Sequence, residues 1–265
     1  MRPFPALMTG AVVVAMTAAS VLAIAPTADA ATGGYVALGD SYSAGTGSTS
    51  DYLNDCDQST AAYPYLYQQA QSPSSFSFQA CSGATAPDIE SGQLSALGSG
   101  TGLVSLTDGG DDVGFSTVME DCVLYSQSTC LSAITSAEKQ ATTTLPGTLD
   151  TLYTDIRHDA PSAQVVVMGY PELYDLSQSS DCSGLSTKSR TALNGAADTL
   201  DQVIKTEVAK YSGFSFADVR GYFAGHEICD SDSWLNSVTW PISDSYHPTA
   251  EGQADGYLPA FEAAL

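Results

Sequence analysis

Two short segments, near opposite ends of the chain, carry residue types suited to nucleophilic catalysis. Gly39-Asp40-Ser41-Tyr42-Ser43-Ala44-Gly45 follows directly on an apolar run. A serine where a strand turns into a helix is well placed to attack a substrate, and the amides that open the helix favour negative charge developing nearby. The same residues also serve as plain strand-to-helix caps, and both readings fit this segment alone. A serine nucleophile needs a base, and the chain has three histidines. His158 lies in a polar turn and reads as a solvated helix end. His226 reads as a surface-loop residue. His247 sits in Asp244-Ser245-Tyr246-His247-Pro248. An Asp three residues before a His can share its turn, accept from Nδ1–H and stabilise the imidazolium. An Asp serving as a loop cap beside an incidental His is the competing reading.

Other motifs fall away. Gly45-Thr46-Gly47 lacks the third glycine of a dinucleotide loop and has no following Lys, so neither a dinucleotide nor a nucleotide-phosphate loop is expected. The serine context is not G-x-S-x-G. His226-Glu227 is not completed to H-E-x-x-H, and no CxxC pair is present. No metal site and no cofactor are expected.

The elements that must position these residues are legible as alternating patterns. Short apolar runs at 35–39, 76–80, 103–107, 164–169 and 214–219 read as buried strands. Helical spacing is present at 60–71, at 133–157 with a break at Pro146-Gly147, and at 187–211. The last 18 residues, from Pro248, read as a closing helix. Residues 91–102 read as a long Ser/Gly-rich surface loop. Strands alternating with helices predict βαβ units and a parallel sheet covered on both sides, in one domain.

Composition narrows the setting. The chain has 265 residues, with 8 Lys and Arg against 30 Asp and Glu, for a net charge of −22. That balance excludes nucleic-acid binding through phosphate neutralisation and disfavours anionic membranes. Arg2, an apolar run over 11–25, and Ala28-Asp29-Ala30 have the layout of a secretory signal peptide over residues 1–30. The run of about 15 residues is short of the ~20 that span a bilayer, so stable membrane insertion is not expected. Removing that segment takes one base and one acid and leaves −22. Residues 31–265 are expected as the mature, secreted domain, as a monomer. Its six cysteines, Cys56, Cys81, Cys122, Cys130, Cys182 and Cys229, read as disulfides in an exported chain, with 15 possible pairings.

Taken together, Gly39-Asp40-Ser41-Tyr42 and Asp244-Ser245-Tyr246-His247-Pro248 resemble the SGNH (GDSL-type) hydrolase family, in its secreted actinobacterial lipase and esterase branch. Between them, Cys81-Ser82-Gly83-Ala84-Thr85 resembles the family's second block and residues 106–115 (LTDGGDDVGF) resemble its third. The resemblance implies a three-layer α/β/α fold with a central parallel sheet of about five strands. It implies serine hydrolysis of carboxylic esters, with a small-molecule or lipid ester as substrate. Ser41 would be the nucleophile and His247 the base, oriented by Asp244 or by the Ser245 carbonyl. The oxyanion would be held by the N–H groups of Ser41 and Gly83 and by a side chain at position 111. The disulfides implied are Cys56–Cys81, Cys122–Cys130 and Cys182–Cys229.

Position 111 departs from the family, which has Asn there. An ionised Asp only accepts, and would repel the oxyanion. A protonated Asp111, a slower enzyme relying on two backbone donors, or a weakened relative that binds without hydrolysing are the three accounts. Within enzymes, a carbohydrate acetylesterase is the alternative substrate class. Tyr42, Tyr52, Tyr63, Tyr65, Tyr67, Trp234 and Trp240 are candidates for an acyl groove, and equally read as ordinary core and surface aromatics.

Overall fold

The computed structural model describes Met1 and residues 33–177 and 184–265. The segment read as a signal peptide therefore lies outside the described residues, as does Cys182. Five parallel strands form one sheet: β1 (Gly34–Ala37), β2 (Phe76–Phe78), β3 (Thr101–Leu106), β4 (Gln164–Met168) and β5 (Phe214–Ala217), in the order β2-β1-β3-β4-β5. All five stand within the apolar runs read from the sequence or extend them by one or two residues. Val165, Val166, Val167 and Met168 of β4 are wholly buried, as expected of a strand covered on both faces.

Helices cover both sides. On one, α3 (Ala86–Gly92), α5 (Gln127–Thr143), α6 (Leu145–Asp159) and α7 (Thr187–Val208) pack on one another, with α4 (Phe115–Leu124) against α5. On the other, α2 (Tyr63–Gln71) packs against α9 (Leu258–Ala263) and the π-helical turn Gly252–Tyr257 that leads into it. The two shortest helices, α1 (Ser41–Ala44) and α8 (Arg220–Phe223), sit just beyond β1 and β5. The helix read over 133–157 is two helices, α5 and α6. The break falls at Thr144, because Pro146 sits in the first turn of α6, where its missing N–H costs nothing.

Two segments differ from expectation. Residues 91–102 are not a long loop: α3 ends at Gly92, a 3-10 turn covers Leu94–Ala96, and β3 begins at Thr101. A capping box at Thr85 and Asp88 starts α3. α4, unread in the sequence, follows the glycine-rich third block.

The disulfides Cys56–Cys81 and Cys122–Cys130 are formed, and Cys229 is disulfide-bonded. Among the described residues no helix is long and apolar enough to cross a membrane.

The sheet order reverses between β1 and β3, and such a switch point opens a crevice at the carboxyl ends of the strands. β1 leads there into Gly39, whose φ of +119° favours glycine. A Cβ at Gly39 would lie 2.6 Å from the Thr107 carbonyl oxygen. Gly39→Ala is expected to lower stability by about 2 kcal/mol, read as a fall in the denaturant midpoint. An unchanged midpoint would mean that this turn relaxes freely.

Candidate active site

Ser41 is the first residue of α1, and Asp40 caps that helix, its carboxylate accepting from the Tyr42 N–H at 2.9 Å. A four-residue helix does not hold itself, so neighbours hold it. Gln93 grips Gly39 on both sides: Gly39 N–H donates to Gln93 Oε1 at 2.8 Å, and Gln93 Nε2 donates to the Gly39 carbonyl at 2.9 Å. Thr107, just past β3, donates to Asp40 at 2.5 Å and accepts from the Ser43 N–H. The Tyr170 hydroxyl, just past β4, also donates to Asp40. Burial raises the Asp40 pKa against these three donors.

His247 reaches the same point from the other end of the chain. Its Nε2 lies 2.8 Å from Ser41 Oγ. Four contacts tie its loop to the serine segment. The Tyr42 hydroxyl donates to the Tyr246 carbonyl at 2.6 Å. Asn236 Nδ2 donates to the carbonyls of Gly47 and His247. The Tyr52 hydroxyl donates to Asp244 at 2.9 Å and accepts from the Gly47 N–H. Gln253 Nε2 donates to the Tyr42 carbonyl.

The Asp244 carboxylate is engaged by Tyr52 and by the Ser243 hydroxyl and makes no hydrogen bond to the imidazole. The expected Asp–His contact is thus not formed. Buried Nδ1 makes no hydrogen bond of standard geometry, and the groups that favour a proton on the ring are the backbone carbonyls of Ser245 and Ser243. Burial outweighs them and lowers the imidazole pKa to about 4. The ring is therefore neutral, and able to accept a proton, above about that pH.

Two backbone donors on these segments have no protein acceptor. Among the described residues, the N–H groups of Ser41 and Gly83 make no hydrogen bond. Gly83 has φ +80° and open space where a Cβ would be. Its turn is anchored by the Cys81 N–H, which donates to the Gly39 carbonyl. Asp111 lines a cleft with Ser41. Burial first, then the nearby Asp40, Asp112 and Asp88, raise its pKa to about 7.

That cleft encloses about 70 Å³ and runs from Ser41 and Asp111 between α4, α5 and α7. Its walls are aliphatic, with Val118, Ile134, Leu193 and Leu200 among them. Of the aromatics singled out in the sequence, only Tyr42 lines it. Tyr63 and Tyr67 pack in the core with Phe261. Trp234 stacks on His226, while His158 is exposed at the end of α6.

Residues 37–254 match the GDSL-like lipase/acylhydrolase family. The chain belongs to this family. It is 53% identical over 239 residues to lipase 1 of Streptomyces coelicolor, covering 89% of this chain and 88% of that one. It also resembles the crystal structure of phospholipase A1 from Streptomyces albidoflavus NA297, with a TM-score of 0.85 and 50% identity over 89% of this chain and all of that one. The crystal structure of the extracellular lipase of Streptomyces rimosus gives a TM-score of 0.84 and 47% identity, over 88% of this chain and all of that one. As a family member the chain is an acyl ester hydrolase.

Gln93, Asn236 and Gln253 were not legible as site residues, because each holds a segment distant in sequence; Tyr52, a candidate for the acyl groove, instead ties Gly47 to Asp244. Tyr42 joins the two site segments most directly. Tyr42→Phe is expected to cost about 1 kcal/mol of stability and to lower kcat on a soluble ester about tenfold or more, with KM little changed. A kcat equal to that of the parent would show that the bond to Tyr246 does not position His247.

Proposed function

We propose that the protein is a secreted esterase or lipase that cleaves carboxylic esters through an acyl-enzyme on Ser41. The observation that carries this reading is the 2.8 Å contact between His247 Nε2 and Ser41 Oγ, supported by the unused backbone N–H groups of Ser41 and Gly83. His247 takes the Ser41 proton as Oγ bonds to the ester carbonyl carbon. The carbonyl electrons pass to its oxygen. The N–H groups of Ser41 and Gly83, with the Asp111 carboxyl, hold that oxyanion. His247 then gives its proton to the departing alcohol oxygen as the C–O bond breaks. Water attacks the acyl-serine by the same proton route, releasing the acid. The Ser245 carbonyl, with that of Ser243, orients the ring as Nδ1–H.

Asp111 acts as a donor only while protonated, which its site favours below about pH 7. Burial keeps a carboxylic acid neutral so that it donates, as in another enzyme class.

The aliphatic cleft favours an acyl chain longer than acetyl, since acetyl would leave it empty. It supports the esterase or lipase reading over a carbohydrate acetylesterase. Phospholipid is a candidate substrate, because a relative 50% identical is described as phospholipase A1. Export is supported by the signal-like segment 1–30 and by the disulfides, which persist in oxidising compartments.

Ser41→Ala is expected to abolish hydrolysis of p-nitrophenyl butyrate, and retained turnover in that variant would sink the mechanism. The pH profile of kcat/KM should be a bell. It falls below about pH 4, where His247 becomes protonated. It falls again above about pH 7, where Asp111 loses its proton. Asp111→Asn should remove the upper limb and raise kcat/KM at pH 8 about tenfold, with little change at pH 5. A profile identical to the parent's would take Asp111 out of the oxyanion hole.

A further inference from the structure

More than half of the exposed large apolar side chains in the described residues come from two turns. Trp240 is 87% exposed, Leu124 66%, and Tyr125 and Ile242 61% each, with Val123 and Val238 beside them. The first turn is the end of α4 with Tyr125 just after it, and the second precedes His247. A groove lined by Met119, Leu124, Val238 and Ile242 runs between them to His247. A second groove joins Val123 and Tyr125 to Val238. The two turns thus form one apolar collar on the His247 side of the site. Cys122–Cys130 ties the first turn back on itself, so its apolar residues need little ordering on contact.

Charge says what the collar faces. Residues 122–137 and 233–243 carry no Asp, Glu, Lys or Arg, in a chain of net charge −22. An anionic surface would be repelled by the whole molecule and would find no cation in the collar. A zwitterionic surface whose outermost group is quaternary ammonium meets the opposite situation. The negative field draws that group in, and exposed Trp and Tyr rings bind it over their faces. The same amphipathic rings are favoured at the depth of lipid headgroups. Contiguous apolar patches of this kind mark interaction sites.

We propose that the turns 123–125 and 238–242 form a docking collar for a choline-bearing zwitterionic lipid surface. This rests on the ester-hydrolase reading for its purpose: the collar brings ester bonds to the groove that ends at His247.

The test separates docking from hydrolysis. The full chain with Ser41→Ala, which leaves lipid intact, is floated with vesicles of phosphatidylcholine alone or mixed with phosphatidylglycerol, at low salt. Binding to phosphatidylcholine is expected, and weaker binding to the mixture. Adding Trp240→Ser and Tyr125→Ser should weaken vesicle binding about tenfold or more. The same pair with Ser41 intact should cleave dissolved p-nitrophenyl butyrate as the parent does, which also reports a folded site. The collar is overturned if Ser41→Ala ignores phosphatidylcholine, prefers the anionic mixture, or binds equally without the two rings. Loss of dissolved-ester cleavage in the ring variant would overturn it too, by placing these rings in the catalytic machinery. A parent chain that cleaves no dissolved ester, while Ser41→Ala still docks through the two rings, would sink the hydrolase reading and leave the collar standing.

Discussion

A 2.8 Å contact between Ser41 and His247 joins residues 206 positions apart, and most of the site's architecture exists to keep that contact. The serine stands on a helix of four residues, too short to hold itself. Its position is fixed by Gln93 on Gly39, by Thr107 and Tyr170 on Asp40, and by Gln253 and the Tyr42 hydroxyl on the C-terminal segment. Each of these holds the same few residues from a different element. A local change in one therefore leaves the others to limit the shift.

Those tethers place much polar chemistry in a dry place, and the acids show the strain. Asp40 is buried but takes three hydrogen bonds. Asp108 is equally buried, has one oxygen without a partner, and is pushed well up by burial and by Asp112 and Asp40. Asp111 and Asp201 are raised to about 7 and about 8. A carboxyl whose folded pKa is raised binds its proton more tightly in the folded state than in the unfolded one. Stability contributed this way is complete below the unfolded value and is lost as pH rises through the folded value. For Asp111 and Asp201 that window runs from about 4 to 7 and to 8. The acids at the sheet switch point thus favour the same acidic range in which Asp111 holds its proton.

Much of this was legible in the sequence, for identifiable reasons. The strands were, because a doubly covered parallel strand is written as a short continuous apolar run, as in residues 164–168. Ser41 and His247 were, because each lies in a compact motif of its own. The family resemblance reached as far as position 111 and flagged it as anomalous, but its raised pKa depends on burial first and then on Asp40, Asp112 and Asp88 being folded around it. The use of Asp244 was not legible: an i, i+3 spacing permits a hydrogen bond to His247, but the Tyr52 and Ser243 hydroxyls engage the carboxylate instead. Of the two readings of the aromatics, groove or core, the fold takes the core one for Tyr63 and Tyr67. Tyr63 and Tyr67 look like ligand contacts beside a nucleophile, yet the fold spends them on the α2–α9 core. The cleft walls come instead from ordinary aliphatic positions of α4, α5 and α7, which carry no signal beyond helical periodicity.

The cleft and the collar reach the Ser41–His247 contact from different sides. The cleft passes between helices and is walled mainly by aliphatic side chains, which suit an uncharged, slender group. The collar opens to the surface at His247, where the departing alcohol must collect a proton. An ester lying across Ser41 would thus place its acyl part in the dry slot and its alcohol part toward the outside. Among the described residues the acids along these paths are Asp40, Asp111 and Glu138 in the cleft and Glu120 at the groove's edge, and no Lys or Arg lines either. Most of the charge of −22 is therefore kept off the apolar route, where it would cost desolvation. It remains on the surrounding surface, where it selects the kind of interface the route can open onto.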